Sequence, residues 1–259
     1  MCLLVLAWNH HPRYRVVLAA NRDEFHARPA AAMHWWAAPE ILSGRDLEAG
    51  GAWLAVGRDG RFGVVTNYRD LQGPRKGAPS RGGLIPDFLG ATHSARDFAE
   101  RLAPQAGQYS GFNLLAGDAT HLLYAANRAP QPTRELGPGI HGLSNHLLDT
   151  PWPKLARTRT RFEALLRSAT LGSEALFAML TDREPTADDG TRTNEDDDEP
   201  RFSRELERAL SAPFIVNERY GTRSSTLLFI GYDGAVSAKE QRYDASGRLI
   251  GRDDFEFQI

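Results

Sequence analysis

Cys2 is the residue of this chain that is best placed to do chemistry. Methionine aminopeptidases remove Met1 when the next side chain is small, and Cys2 would then begin the chain with a free α-amino group. That amine has a pKa of roughly 7.7 to 8.0 and a free thiol one of about 8.5, so the amine can accept the proton of the thiol near neutral pH. Nucleophile and base would then belong to one residue. The alternative is a small apolar residue that opens a buried strand.

A charged cluster, Asn21-Arg22-Asp23-Glu24, follows the segment that is predicted to pair with the first strand. We therefore expect it to fold back beside Cys2. Asp23 could hold the α-ammonium group and Arg22 could stabilise a thiolate, because opposite charges a few ångströms apart favour the ionised form of each group. The alternative for these residues is a capped turn with an exposed ion pair. Asn67, at the end of a predicted hairpin, is either a turn residue or a further polar group of this cluster.

Apolar runs and turn-forming dipeptides predict the strands that position these residues. The continuous run 2–8 is typical of a strand buried on both faces, and 15–20 would return antiparallel to it. Asp59-Gly60 predicts a tight turn between strands at 53–56 and 62–67. Further strands are predicted at 112–116, 121–126, 139–145, 222–231, 235–243 and 248–257.

The helices fall between these groups of strands. They are predicted at 80–90, 94–102, 155–166, 173–180 and 203–210. Ser94 is an N-cap candidate with Asp97 three residues later. The segment 182–200 includes five consecutive acidic residues that repel one another, which indicates a mobile loop. Since sheets and helices each need a partner layer, this order predicts one α+β domain over 1–259, a four-layer αββα sandwich of antiparallel sheets.

Composition narrows the classes of partner. The chain has 259 residues with a formal net charge of −2, so no field of one sign would attract nucleic acid or an anionic membrane. We expect no membrane insertion and a cytoplasmic location, since no apolar run approaches 20 residues and no signal peptide is recognisable. One cysteine rules out an internal disulfide. His10 and His11 are predicted to be exposed turn residues, and His141 and His146 lack the spacing of a metal site.

Six short motifs spread along the chain carry a family resemblance. They are Met-Cys at 1–2, Ala-Asn-Arg-Asp-Glu at 20–24, Thr-Asn-Tyr-Arg at 66–69, Ser-Arg-Gly at 80–82, Gly-Leu-Ser-Asn at 142–145 followed by Leu-Asp-Thr-Pro-Trp-Pro-Lys, and Tyr-Gly-Thr-Arg-Ser-Ser-Thr at 220–226. Together they resemble the NRDE family, which includes the eukaryotic transport and Golgi organisation protein 2. That family is similar to cysteine N-terminal-nucleophile amidases such as penicillin V acylase and bile salt hydrolase. The resemblance covers essentially the whole chain.

The resemblance implies a fold of the N-terminal-nucleophile hydrolase type and a set of site residues. Cys2 matches the amidase nucleophile, and Arg22 belongs to the NRDE signature itself. The other matches are Asn21 and Asp23 for the Asn-x-Asp after the second strand, Asn67 and Asn145 for the oxyanion donors, and Arg223 for a late arginine. The amidases carry an arginine where this chain has Ala20, so the charge balance around the thiol differs.

Two functions follow as hypotheses. In the first, the chain is an amidohydrolase of a small acylated substrate: the thiolate of Cys2 attacks a carbonyl, Asn67 and Asn145 stabilise the oxyanion, and the α-amine shuttles the proton. The second comes from the family's association with haem or lipid handling, and makes the chain a non-enzymatic carrier of haem or a lipid-like ligand. We expect a small-molecule substrate or ligand and no metal or cofactor, haem being a ligand only in the second case.

Overall fold

The computed structural model describes residues 2–69, 73, 75–168, 170–186, 208 and 210–259. In these residues it has thirteen strands and four α-helices, and the strands form two antiparallel sheets. Most of the helix predicted at 203–210, and most of the acidic segment at 182–200, lie outside the described residues. In the described part of the chain, no helix has the length and apolar character needed to cross a bilayer.

The first sheet joins the two ends of the chain. Its strands are β1 (Cys2–Trp8), β2 (Tyr14–Phe25), β10 (Gly139–Leu143), β11 (Tyr220–Gly231), β12 (Ala235–Tyr243) and β13 (Leu249–Gln258). Their order in space is β10-β1-β2-β11-β12-β13. Because β2 lies between β1 and β11, residues from both ends of the chain meet around it.

The second sheet comes from the middle of the chain, in sequence order from β3 to β9. Its strands are β3 (Ala30–Trp35), β4 (Ile41–Asp46), β5 (Leu54–Gly57), β6 (Phe62–Asn67), β7 (Phe112–Gly117), β8 (Leu122–Ala126) and β9 (Thr133–Glu135). The predicted hairpin of β5 and β6 is confirmed, with Leu54 opposite Val64. Gly60 in its turn has a φ of +76°, a conformation that side chains with a Cβ rarely adopt.

Four helices cover the outer faces of the sheets: α1 (Leu84–Gly90), α2 (Ala95–Leu102), α3 (Pro153–Leu166) and α4 (Ser173–Leu180). One apolar cluster fills the space between the sheets. A second packs α1 and α2 on the β3–β9 sheet, and a third packs α3 and α4 on the other sheet. These clusters are compatible with the predicted sandwich. The Ser94 cap is confirmed, with Ser94 and Asp97 forming a capping box.

Three strands and several boundaries differ from the sequence predictions. β3, β4 and β9 were not predicted. β2 continues to Phe25, so the Asn-Arg-Asp-Glu cluster lies inside a strand and not after it. β10 ends at Leu143, before Asn145. A 3-10 turn at Arg81–Gly83 precedes α1, where a helix from residue 80 was predicted.

Candidate active site

The register of β1 and β2 places Cys2 directly opposite Arg22, and Leu3 opposite Asn21. Successive side chains of a strand point to opposite faces of its sheet. In β2, Leu18 and Ala20 belong to the cluster between the sheets, whereas Val17 and Ala19 belong to the cluster under the helices. The same alternation divides the charged cluster: Arg22 lies between the sheets with Cys2, and Asn21 and Asp23 lie on the helix side.

The Arg22 side chain is only 6% exposed. Its guanidinium carbon lies 4.4 Å from the ring centroid of Trp53, a cation–π contact from the opposite sheet. Its Nη2 is 3.7 Å from Oδ2 of Asp46 and 3.9 Å from Oε2 of Glu24. Its Nη1 is buried and makes no hydrogen bond with the described residues. The predicted alternative of an exposed ion pair on a turn is therefore wrong, because the cation is buried next to Cys2.

Asn21 uses its amide to tie β2 to two other segments. Its Nδ2 donates to the carbonyl oxygens of Leu180, at 2.8 Å, and Pro213, at 2.9 Å. Its Oδ1 accepts from Oγ of Ser225 at 2.6 Å. Both amide hydrogens are therefore taken up by carbonyl groups. In this structure Asn21 fixes the position of the strand and has no donor left for a substrate.

Asp23 is buried, with 3% of its surface exposed. Oγ1 of Thr222 donates to its Oδ1 at 2.6 Å, and the hydroxyl of Tyr220 donates to its main-chain oxygen at 2.8 Å. Burial raises the pKa of Asp23, while the positive charges of Lys154 and Arg22 and the bond from Thr222 lower it. On balance the pKa of Asp23 is raised, because burial outweighs the cations and the donor around the carboxyl group.

Lys154 is a member of this polar group that the sequence analysis did not assign. It lies in the first turn of α3, is 3% exposed, and its Nζ donates to the carbonyl oxygen of Leu210 at 2.9 Å. Burial lowers its pKa, and the charges of Asp23 and Cys2 oppose that change. The only sequence signal was its place at the end of the Leu-Asp-Thr-Pro-Trp-Pro-Lys motif. A lysine in a basic helix otherwise indicates a solvated position.

Asn145 contacts the main-chain nitrogen of Cys2. Its Oδ1 accepts from that nitrogen at 2.9 Å, and its Nδ2 donates to the main-chain oxygen of Asn67 at 2.8 Å. Asn145 is 5% exposed. Asn67 ends β6 and is exposed. The structure therefore brings Asn145 to Cys2 by a direct bond, and joins Asn67 to this group through its main chain.

Arg223 lies at an irregularity of β11, where the pairing with β2 shifts between Thr222 and Ser224. Its Nη1 donates to the carbonyl oxygens of Phe25, His26 and Arg28, at 3.0, 3.2 and 3.1 Å. These bonds hold the turn that follows β2. None of the hydrogen bonds described for Arg223 goes to Cys2.

The residue Cys2 is half-buried at the edge of the space between the sheets. Burial raises its pKa and so does the charge of Asp23, while the main-chain N–H of Asp23 and the charge of Arg22 lower it. A cavity with room for about one water molecule adjoins the thiol. The polar residues that line it include Cys2, Asn21, Arg22, Thr66 and Thr226. The thiol therefore borders charged groups as well as the apolar core.

A larger groove of about 430 Å³ lies at the opposite end of β1. It runs between the turn at residues 10–13 and the end of α3, where Glu163 and Arg167 line it. The prediction for His11 is wrong, because it is buried with 8% of its surface exposed, whereas His10 is exposed as predicted. No group of three or more histidine, cysteine or acidic residues in the described part of the chain could hold a metal ion.

The residues of this site all lie in the part of the chain that matches known proteins. The model of the family described as Transport and Golgi organisation 2 matches residues 1–245. The chain is similar to the Transport and Golgi organization protein 2 homolog of Bos taurus, with 35% identity over 93% of this chain and 92% of the relative. The Homo sapiens homolog is 33% identical over the same shares. The Drosophila melanogaster protein is 31% identical over 70% of each chain. These matches confirm the NRDE resemblance.

Proposed function

Because the chain belongs to the Transport and Golgi organisation 2 family, we propose a chemistry for the site described above. The protein would be an N-terminal-nucleophile amidohydrolase that cleaves a C–N amide bond of a small acylated substrate. The names of the relatives describe a cellular process and not a reaction, so the chemistry has to come from the site. The observation that carries the proposal is the bond between the Cys2 nitrogen and Asn145, with the thiol beside Arg22. A single free cysteine supports a reducing compartment such as the cytoplasm.

In the proposed reaction, loss of Met1 turns the nitrogen of Cys2 into a free amine. The amine takes the thiol proton, and the thiolate attacks the substrate carbonyl to form a carbon–sulfur bond. As the C–N bond breaks, the α-ammonium returns the proton to the leaving amine. Water then adds to the thioester, releases the acid and restores the thiol. Every proton that the amine accepts is given back within one turnover.

The charges of the site support this sequence of steps. Arg22 favours the thiolate over the thiol. The Oδ1 of Asn145 would orient the amine, as it now orients the main-chain nitrogen. The Nδ2 of Asn145 has a second hydrogen besides the one donated to Asn67. We assign that hydrogen, together with Asn67, to the oxyanion that forms on attack. The sandwich of two antiparallel sheets is compatible with the N-terminal-nucleophile type of fold.

Cys2→Ala provides the first test. Protein whose intact mass shows loss of Met1 would be offered a panel of N-acyl amides of different acyl length, with amine release as the measurement. We expect turnover by the wild type and only background turnover by Cys2→Ala, since the variant lacks the attacking atom. Equal turnover by the two proteins, or turnover by a form that retains Met1, would rule out the proposed nucleophile and base.

A carrier of haem or a lipid-like ligand is the second candidate, and the groove at residues 10–13 favours it. Imidazole can bind haem iron, and the guanidinium groups of Arg13 and Arg167 could pair with the propionates. The same preparations would be titrated with haemin and followed by absorbance. Haemin binding that Cys2→Ala keeps and His10→Ala weakens, with no amide turnover in any form, would replace the hydrolase by the carrier.

A further inference from the structure

Two buried polar side chains of the second sheet, Asn113 in β7 and Tyr124 in β8, take no part in the proposed reaction. The Tyr124 hydroxyl donates to Oδ1 of Asn113 at 2.6 Å. Tyr124 belongs to the apolar cluster between the sheets. Asn113 lies opposite Ala126, which belongs to the same cluster, so it faces the same way. Both side chains therefore point from the second sheet toward the first.

Both side chains hold the segment that follows β10. Nδ2 of Asn113 donates to the main-chain oxygen of His146 at 3.0 Å. The Tyr124 hydroxyl accepts from the main-chain nitrogen of Leu148 at 3.1 Å. Asn145, whose side chain bonds the amino end of β1, lies directly before His146. The pair thus fixes the main chain on the C-terminal side of Asn145.

Asn113 also reaches the strand that carries Asn67. Its Nδ2 donates to Oγ1 of Thr66 at 3.4 Å, which uses the second hydrogen of the amide. Thr66 lies directly before Asn67 in β6 and lines the cavity beside Cys2. One buried amide is therefore bonded to a neighbour of each residue that we assign to the oxyanion.

We propose that Asn113 and Tyr124 are positioning residues that set where Asn145 and Asn67 lie relative to Cys2. The role deepens the proposed function, on which its catalytic meaning rests. Directional bonds fix the place of a segment, whereas apolar side chains of similar shape would only fill the space. Oxyanion donors act only within hydrogen-bond distance of the developing charge, and a displacement of about 1 Å can slow such a reaction about a hundredfold.

This role predicts a selective loss that can be measured on Cys2 in protein that has lost Met1. In acylation by p-nitrophenyl acetate, the thiolate forms a carbon–sulfur bond through a tetrahedral oxyanion, and the C–O bond then breaks to release p-nitrophenolate. In alkylation by iodoacetamide, the thiolate displaces iodide and no oxyanion forms. Tyr124→Phe should slow acylation by about tenfold and leave alkylation within about twofold of the wild type. The loss stays below a hundredfold because the bond from the Arg69 nitrogen to the Asn145 oxygen remains.

Tyr243→Phe is the matched control. Tyr243 is also buried, and its hydroxyl bonds Ser225 and Gln241. It lies on β12, which three other strands separate from β10. This variant should keep the wild-type ratio of the acylation and alkylation rates. A Tyr124→Phe protein with the wild-type ratio would overturn the proposal, whether both rates fall, as after a loss of packing, or neither does.

A stability measurement tests the same role without an acyl donor. Tyr124→Phe and Asn145→Ala both release the segment after β10, so the double variant should lose less melting temperature than the sum of the two single losses. Losses that simply add would overturn the positioning role, whatever the ester result. A wild type that p-nitrophenyl acetate does not acylate, with losses that do not add, would reject the hydrolase and keep the positioning of Asn145.

Discussion

Glu240 gives a pH dependence of stability that can be worked out in advance. It lies on β12 between the two sheets and is 1% exposed. Its Oε1 accepts from the main-chain nitrogen of Met33 at 2.9 Å and lies 3.8 Å from Nε of Arg242. Its Oε2 is buried without a hydrogen bond to the described residues. Burial raises the pKa of Glu240 from 4.5 to about 7, because the charged form is poorly solvated.

The sign follows from proton binding. Between pH 4.5 and 7 the folded protein keeps a proton on Glu240 that the unfolded chain releases, so the free energy of unfolding falls as pH rises through this range. The difference of 2.5 pH units between 4.5 and about 7 corresponds to about 3 kcal/mol when Glu240 is fully ionised. Glu240→Gln keeps the acceptor for Met33 and cannot ionise. The difference in the free energy of unfolding between Glu240→Gln and the wild type should therefore grow by about 2 to 3 kcal/mol as the pH rises from 5 to 8.

Urea unfolding of the two proteins at pH 5, 6, 7 and 8 would measure this gain. Glu256→Gln, on the exposed side of the neighbouring strand β13, is a matched control that removes a carboxylate from water and should leave the pH slope close to that of the wild type. A difference between Glu240→Gln and the wild type that is the same at every pH would refute the reasoning. It would mean that Glu240 is ionised in both the folded and the unfolded protein throughout this range.

Two further substitutions have defined outcomes. Asn145→Ala should lower kcat/KM for any amide substrate by about a hundredfold or more, since an oxyanion donor is lost. It should also reduce the free energy of unfolding by about 1 to 3 kcal/mol, because the Cys2 nitrogen and the Asn67 oxygen lose their partner. Turnover equal to that of the wild type would contradict the role. Ser94→Ala removes the capping box of α2 and should reduce the free energy of unfolding by about 1 kcal/mol with no effect on Cys2 alkylation. An unchanged unfolding curve would show that this helix end does not depend on its cap.

The strands with strong apolar patterns were predictable, and those with weak patterns were not. The run that became β1 is apolar throughout, and β11 contains the apolar run 227–230, which is buried on both faces. β3 begins with three alanines and β4 contains Ser43 and Gly44, residues that give little β signal by themselves. These two strands depend on their neighbours in the sheet, and a local pattern does not contain that information.

The sequence predicted which residues form the site better than it predicted how they are arranged. Cys2, Arg22 and Asp23 were expected together, and the register confirms that Cys2 and Arg22 are opposite each other. The predicted strand ended at residue 20. Side chains alternate between the two faces of a sheet only inside a strand, so the prediction did not show that Arg22 lies on one face and Asn21 and Asp23 on the other. The burial of Lys154 and the shift at Arg223 depend on how distant segments pack and pair. Neither could be derived from the order of residues along one segment.

Side chains of β2 alternate between the two faces of its sheet, and this limits which deletions the strand can accept. Val16, Leu18 and Ala20 share one side of the strand with Arg22, and Val17 and Ala19 share the other with Asn21 and Asp23. Deleting any one residue between Tyr14 and Ala20 would exchange the two sets, turning Arg22 toward the helices and Asp23 toward the opposite sheet. Loss of two residues would preserve the sides and only shorten the hairpin. Length variants of this segment are therefore tolerated, if at all, in even numbers.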